Sequence, residues 1–226
     1  MHVEHATAQQ ALAGELVAFM ADLRSMDDAD LLVPSRCLGW SRCDLAAHVH
    51  MGLQEILLGV HSPSASPPDT DAASYWRAVL PTNDSGADRL DALRFAQRLA
   101  LVYRRPSGLA RHMEATAAPV GRAVISLAPA VLAFQGHVMA TGDFLAMWAV
   151  ELCIHHLDLA PGDGLDGPTP ESLALTRSTV EALAGGPFPA GLDDIRVALI
   201  GAGRDRPTPE EVEALGSLAA AVPVIT

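Results

Sequence analysis

The chain has 226 residues, half of them hydrophobic and 19% charged, with 27 acidic side chains against 15 basic ones for a formal net charge of -12. That acidity excludes general nucleic-acid binding, which needs a basic footprint against phosphates. The longest apolar runs stop short of the roughly 20 residues that a membrane-spanning helix needs. Three cysteines without paired spacing point to a reducing compartment. The N-terminus lacks the basic start and apolar core of a signal peptide, so the cytoplasm is expected. All 15 basic residues are arginine, in keeping with codon bias in a GC-rich genome.

Taken in chain order, the first element is a helix over about 5–26, where Leu12, Leu16, Phe19, Met20 and Leu23 recur at helical spacing. Pro34 and Gly39 interrupt the pattern. Ser41 opens a second helix, with Asp44 three residues on, close to a capping box. That helix runs to about Val60 and stops in a turn-rich loop at 61–68. Residues 71–80 suit a short helix and 84–104 a longer one, ended by Arg105, Pro106 and Gly108. Over 118–139 the apolar residues are β-branched or alternate, which predicts an irregular stretch with a short hairpin around Gly136 and His137. Thr141, Gly142 and Asp143 cap a last long helix reaching about Leu159, terminated at Pro161–Gly164.

Beyond residue 165 the texture changes. Residues 168–184 and 210–220 read as helical, and 194–200 alternate like a strand. Ten acids and four arginines follow Ala160, about half the net charge. The expected organisation is a mainly α helical bundle at 1–162 followed by a small C-terminal α+β region at 163–226. No internal repeat or low-complexity segment is evident.

The chemistry concentrates on one helix. Glu151 and His155 are four residues apart, so they stack on one helical face. Their neighbours Phe144, Leu145, Trp148 and Leu152 are apolar, and an unpaired carboxylate buried among them would be costly. His48 on the second helix supplies a third donor. Two histidines and one carboxylate make a metal set that leaves a position open, as catalytic zinc sites do. Zinc suits the set; nickel and iron use it as well. The bland readings are a core histidine under Trp40 and a surface i,i+4 pair.

Asp44 and Asp158 are the candidate catalytic carboxylates beside these ligands. Asp44 either caps its helix or orients His48, and Asp158 either accepts from a ligand histidine or simply ends its helix. His156 points off the ligand face, His50 and His137 are alternative ligands, and Cys153 falls on the core side. Between Arg89 and Arg122 seven arginines face only Asp91 and Glu114. This cluster is either a solvated helix face or a receptor for the anionic part of a substrate or cosubstrate, with Arg94 and Arg98 the best placed.

Gly39-Trp40-Ser41 followed by Asp44-Leu45 and His48, then Gly142–Leu145 leading into Glu151, His155 and Asp158, resembles the DinB-like superfamily. The similarity is to its mycothiol-dependent maleylpyruvate isomerase branch and covers roughly residues 5–160. The resemblance implies an up-down-down-up four-helix bundle holding a divalent ion at one end. It also implies mycothiol, the small thiol of actinobacteria, as co-substrate, and a thiol-dependent S-transferase or isomerase acting on a small-molecule electrophile, as monomer or homodimer. The alternatives are a metal enzyme of the same fold in secondary metabolism that uses no thiol, and a non-catalytic metal- or ligand-binding protein.

Overall fold

A computed structural model describes residues 1–79, 86–159 and 165–225. Its centre is a helix apolar on every side, α7 (Thr141–Asp158), buried along almost its whole length. Such a helix is stable only when neighbours cover it all round. Among the long helices, α1 (His5–Ser25) and α3 (Arg42–Val60) pack on it directly, and α6 (Pro106–Ser126) closes the bundle against α1 and α3. Short helices α2 (Asp28–Leu31) and α4 (Ser74–Val79), together with α5 (Gly86–Leu101), fill the connections.

Side-chain contacts fix the helix directions. His5 Nδ1 lies 2.9 Å from Thr141 Oγ1 at one end, and Glu15 lies 2.6 Å from His156 nearer the other, so α1 and α7 run parallel. Gln9 donates to the Val124 carbonyl at 2.8 Å while Arg24 faces Glu114, which makes α6 antiparallel to α1. On α3, Gly59 abuts Phe144, Gly52 abuts Trp148 and His48 meets Glu151, so α3 is antiparallel to α7. The result is an up-down-down-up bundle, mainly helical as the sequence implied. Two glycines permit the close approach. A Cβ on Gly59 would fall 2.4 Å from the Phe144 ring, and one on Gly142 would fall 2.2 Å from the Val3 carbonyl oxygen. Neither distance is sterically allowed.

Two elements depart from the expected pattern. The helix expected over 84–104 ends at Leu101, and Pro106 begins α6 instead of closing a region, since its fixed φ and missing N–H suit a first helical turn. Helix α6 then runs through Ser126, with Pro119 inside it, across residues expected to be irregular. Its buried Leu109, Met113, Ala117, Val120 and Val124 keep helical spacing, and that packing outweighs the internal proline. The hairpin forms where expected, from β1 (Val131–Phe134) and β2 (His137–Ala140), antiparallel with Phe134 opposite His137. Gln135 and Gly136 form its two-residue turn at φ 47° and 83°, both positive, as a type I′ turn requires.

The C-terminal region holds α8 (Pro170–Ala184), α9 (Asp194–Gly201), α10 (Pro209–Leu215) and a 3₁₀ turn (Gly216–Ala220). The strand expected at 194–200 is helix α9, and no strand occurs among the described residues after 165. A short apolar run fits either element; here Asp193 caps the helix by accepting from the Arg196 N–H at 2.7 Å. Leu175, Val180, Val197 and Ile200 join the same hydrophobic core as α7. A buried polar clasp adds to this. His156 holds Glu15 and Asp22, and Glu15 in turn accepts from Thr169 N–H while Asp22 accepts from Gly167 N–H. The expected domain boundary at 162/163 and the terminator at 161–164 lie outside the described residues. No described helix is long and apolar enough to cross a membrane.

Candidate metal centre

Antiparallel packing of α3 on α7 brings His48 onto the Glu151–His155 face. Glu151 Oε1 lies 3.5 Å from His48 Nε2 and 3.1 Å from His155 Nε2. The two imidazoles stand nearly perpendicular, with centroids 4.8 Å apart. One donor atom from each of the three residues falls within 4.8 Å of the others. Trp40 covers His48 at a centroid distance of 5.2 Å. Burial disfavours ionisation of Glu151, but the charges and hydrogen bonds of His155 and His48 outweigh it and hold the carboxyl well below the usual range.

Behind His155 stands Asp158. The His155 Nδ1–H donates to Asp158 Oδ2 at 3.1 Å, which fixes the ring so that Nε2 faces Glu151. Asp158 also receives both arms of Arg204, at 2.8 and 2.9 Å, and the Cys37 thiol at 3.1 Å. Burial alone would raise the Asp158 pKa; the bonds and charges of His155 and Arg204 outweigh that and depress it. Burial likewise opposes a charged His155, yet Glu151 and Asp158 raise its pKa well above the ordinary imidazole value. Cys37, His155 and Asp158 form a second group of close donors.

A cavity of about 370 Å³ opens over the three donors, with His48, Glu151 and His155 in its lining. Its walls include Ile56, Trp76, Met147 and Trp148. Its polar side is a chain in which Tyr75 Oη donates to Gln135 Oε1 at 2.6 Å and Gln135 Nε2 donates to Glu55 Oε2 at 2.7 Å. Burial raises the Tyr75 pKa, so the phenol keeps its proton. An apolar pocket with a few convergent polar groups is the usual form of a small-molecule site.

The other residues singled out in the sequence fall as follows. Asp44 closes the α3 capping box, its Oδ2 accepting from Ser41 N–H at 2.8 Å. Arg94 and Arg98 are exposed on α5, outside the cavity lining. His50 lies 2.9 Å from the Thr116 hydroxyl, and His137 lies 3.1 Å from that of Thr70. Burial pushes the Cys153 thiol up to about 12 and the Cys43 thiol up to about 11. Sequence reasoning did not find Arg204, Tyr75, Gln135 or Glu55. Only Gln135 carried a signal: a glutamine before glycine in a two-residue turn, where asparagine or aspartate is favoured.

Residues 12–160 match the family model described as the mycothiol maleylpyruvate isomerase N-terminal domain. Two crystal structures share the fold. The mycothiol-dependent maleylpyruvate isomerase gives a TM-score of 0.57 at 16% identity, and a histidine-to-alanine mutant of it gives 0.58 at 14%. Each match covers 90% of this chain and 90% of the other. No curated protein matches the chain.

Proposed function

The chain belongs to the family of the mycothiol maleylpyruvate isomerase N-terminal domain, and on that premise we propose that it is a metal- and thiol-dependent enzyme, an S-transferase or isomerase that adds a small thiol, mycothiol by family, to an electrophilic small molecule. The observation that carries the reading is the carboxylate of Glu151 set between the imidazoles of His48 and His155 in the lining of an apolar cavity. A divalent ion fits this donor set, since two neutral imidazoles and one carboxylate suit zinc and the buried carboxylate calls for a cation. His48, Glu151 and His155 would hold it. When bound, it supplies a Lewis acid that lowers the pKa of a coordinated thiol.

The rest falls to the chain's own side chains. Asp158 keeps the His155 Nδ1 proton in place and so presents Nε2 as the donor. Ile56, Trp76 and Trp148 exclude water from the reacting groups. No protein thiol is needed. Cys43 and Cys153 are buried and stay protonated, and Cys37 stands behind His155 on Asp158. Residues 1–162 form the bundle domain of this reading and 163–226 the accessory part, which contributes Arg204. The cytoplasm, where reduced thiols are available, is its place.

The zinc-loaded protein, mixed with a thiol and a panel of electrophiles, should consume thiol only when both metal and thiol are present. Activity should persist when Cys37, Cys43 and Cys153 are all replaced by serine. A metal-dependent reaction running at full rate without thiol would overturn this reading in favour of a metal enzyme of the same fold with other chemistry.

A further inference from the structure

Two cavities meet at the hairpin tip. The one over the three metal donors, about 370 Å³, and a shallower groove of about 280 Å³ have two described lining residues in common, Glu55 and Gln135. Beyond that pair the groove is lined mainly by Leu58, Gly59, Ala133 and Phe134. Phe134 packs edge-on against Trp148 of the metal cavity, with ring centroids 5.7 Å apart. Aromatic side chains therefore continue from one space into the other, and what stands between the two is polar.

The partition is a hydrogen-bonded chain drawn from three elements. Tyr75 on α4 donates through Oη to Gln135 Oε1 at 2.6 Å, and Gln135 Nε2 donates to Glu55 Oε2 on α3 at 2.7 Å. Gln135 is the middle member, and its backbone gains nothing from being glutamine. Its φ of 47° is left-handed, where glycine or asparagine is favoured. An asparagine would be one methylene shorter and have less reach across the gap. The turn thus carries a side chain that its backbone disfavours, and that side chain ties the hairpin to both flanking helices at the edge of the cavity.

We propose that Gln135 determines substrate length: it closes the metal cavity on the hairpin side, so that a ligand anchored at the ion can carry a short tail but not one that reaches the groove. The inference rests on the reading above, in which a divalent ion is held by His48, Glu151 and His155. It concerns size, and leaves the recognition of charge to the metal centre. Burying one methylene is worth about fourfold in affinity. A tail stopped at the partition forgoes that gain for every further carbon, whereas a tail that passes Gln135 meets Leu58 and Phe134 and keeps it.

The test uses binding rather than turnover. The zinc-loaded full chain is titrated calorimetrically, without thiol, with acetohydroxamate, butyrohydroxamate, hexanohydroxamate and octanohydroxamate. The hydroxamate group anchors on zinc, and the four ligands differ in tail length alone. With the wild-type chain the affinity should climb and then level off as the tail meets Gln135. Gln135→Gly suits the positive φ and so keeps the hairpin. In that variant the rise should continue, so that octanohydroxamate binds at least about tenfold more tightly than to the wild type while acetohydroxamate binds equally to both. Gln135→Asn should follow the glycine variant, since it keeps the amide and loses the reach. The same length profile in all three proteins would overturn the proposal and leave the metal centre intact. No binding of any hydroxamate by the zinc-loaded wild type would overturn the proposal and the metal centre together. A shifted profile in a protein that consumes no thiol would refute the thiol-dependent reaction and leave this inference standing.

Discussion

Arg204 grips Asp158 with both arms, Nε to Oδ1 at 2.8 Å and Nη2 to Oδ2 at 2.9 Å, although 46 residues separate them. The same Asp158 holds the Nδ1 proton of His155. The C-terminal region therefore reaches back to brace a ligand of the candidate metal site. Partners that orient a ligand histidine are worth about 10- to 100-fold in metal affinity. Arg204→Met should weaken zinc binding by about that much in competition with a chelating dye, with the circular-dichroism signal retained. Arg204→Lys should recover only part of the loss, because an ammonium is a point charge that cannot engage both oxygens of Asp158. An unchanged zinc affinity in both variants would show that Asp158 holds the ring without help.

His155→Ala removes the donor that faces Glu151 and the group that Asp158 steadies. It should abolish stoichiometric zinc binding, as measured by elemental analysis after gel filtration, while leaving the helical signal largely intact. The bundle survives because its core is apolar: Phe19, Leu45, Met113 and Phe144 are all fully buried and independent of the site. Full zinc occupancy in this variant would remove His155 from the ligand set.

How much could be read from sequence follows from which interactions are local. His48, Glu151 and His155 were legible because two of them obey the i,i+4 rule and the third lies in the N-terminal half of a capped helix. The cap at Ser41 and Asp44 was legible for the same reason. Arg204, Glu55, Tyr75 and Gln135 were not, since each acquires its role only through tertiary contact with a distant element. The strand expected at 194–200 failed because Ile195, Val197 and Leu199 alternate, and that spacing ignores the helix cap supplied by Asp193. Helix α6 was missed because the β-branched and alternating apolar residues from 118 onward read as an irregular stretch, whereas in the fold its apolar face is fixed against α1 and α3.

His156 bridges two buried carboxylates, with Nδ1 2.6 Å from Glu15 and Nε2 2.9 Å from Asp22. Both acids also accept from the start of the C-terminal region. His156→Ala would leave two acidic side chains facing a void without their shared partner. Breaking one side of such a buried network costs about 3–5 kcal/mol. The urea midpoint should fall accordingly, with zinc affinity unchanged at temperatures where the variant is folded. A midpoint within error of the wild type would mean that water replaces the imidazole at no cost.

The three cysteines should separate by reactivity. Burial pushes Cys43 up to about 11 and Cys153 up to about 12, so neither supplies thiolate near neutral pH, and both are shielded. Cys37 is half-buried. Native protein treated with iodoacetamide at pH 8 should take up one equivalent, located by peptide mass spectrometry at Cys37. The other two should react only after unfolding. Labelling of Cys153 in the native protein would contradict its placement in the core.

The last prediction concerns acid stability of the C-terminal region. Arg196 bonds both oxygens of Glu211, at 2.7 and 2.6 Å, and the Thr208 N–H adds a third bond at 2.7 Å. The Arg196 bonds, then the one from Thr208, hold the Glu211 carboxyl at about 2, against an unfolded value near 4.3. A folded-state pKa lying below the unfolded one means that the stabilisation is present in full above about pH 4.3 and is lost as the pH falls towards 2. Glu211→Gln isolates this effect, because glutamine serves equally well at the third position of the α10 capping box. At pH 7 the variant should melt lower than the wild type, by a modest amount because the pair is partly solvent-screened. On acidification the difference in Tm should shrink steadily below about pH 4.3. A gap that stays constant from pH 7 to pH 3 would show that Glu211 acts through packing or capping and that its charge contributes nothing.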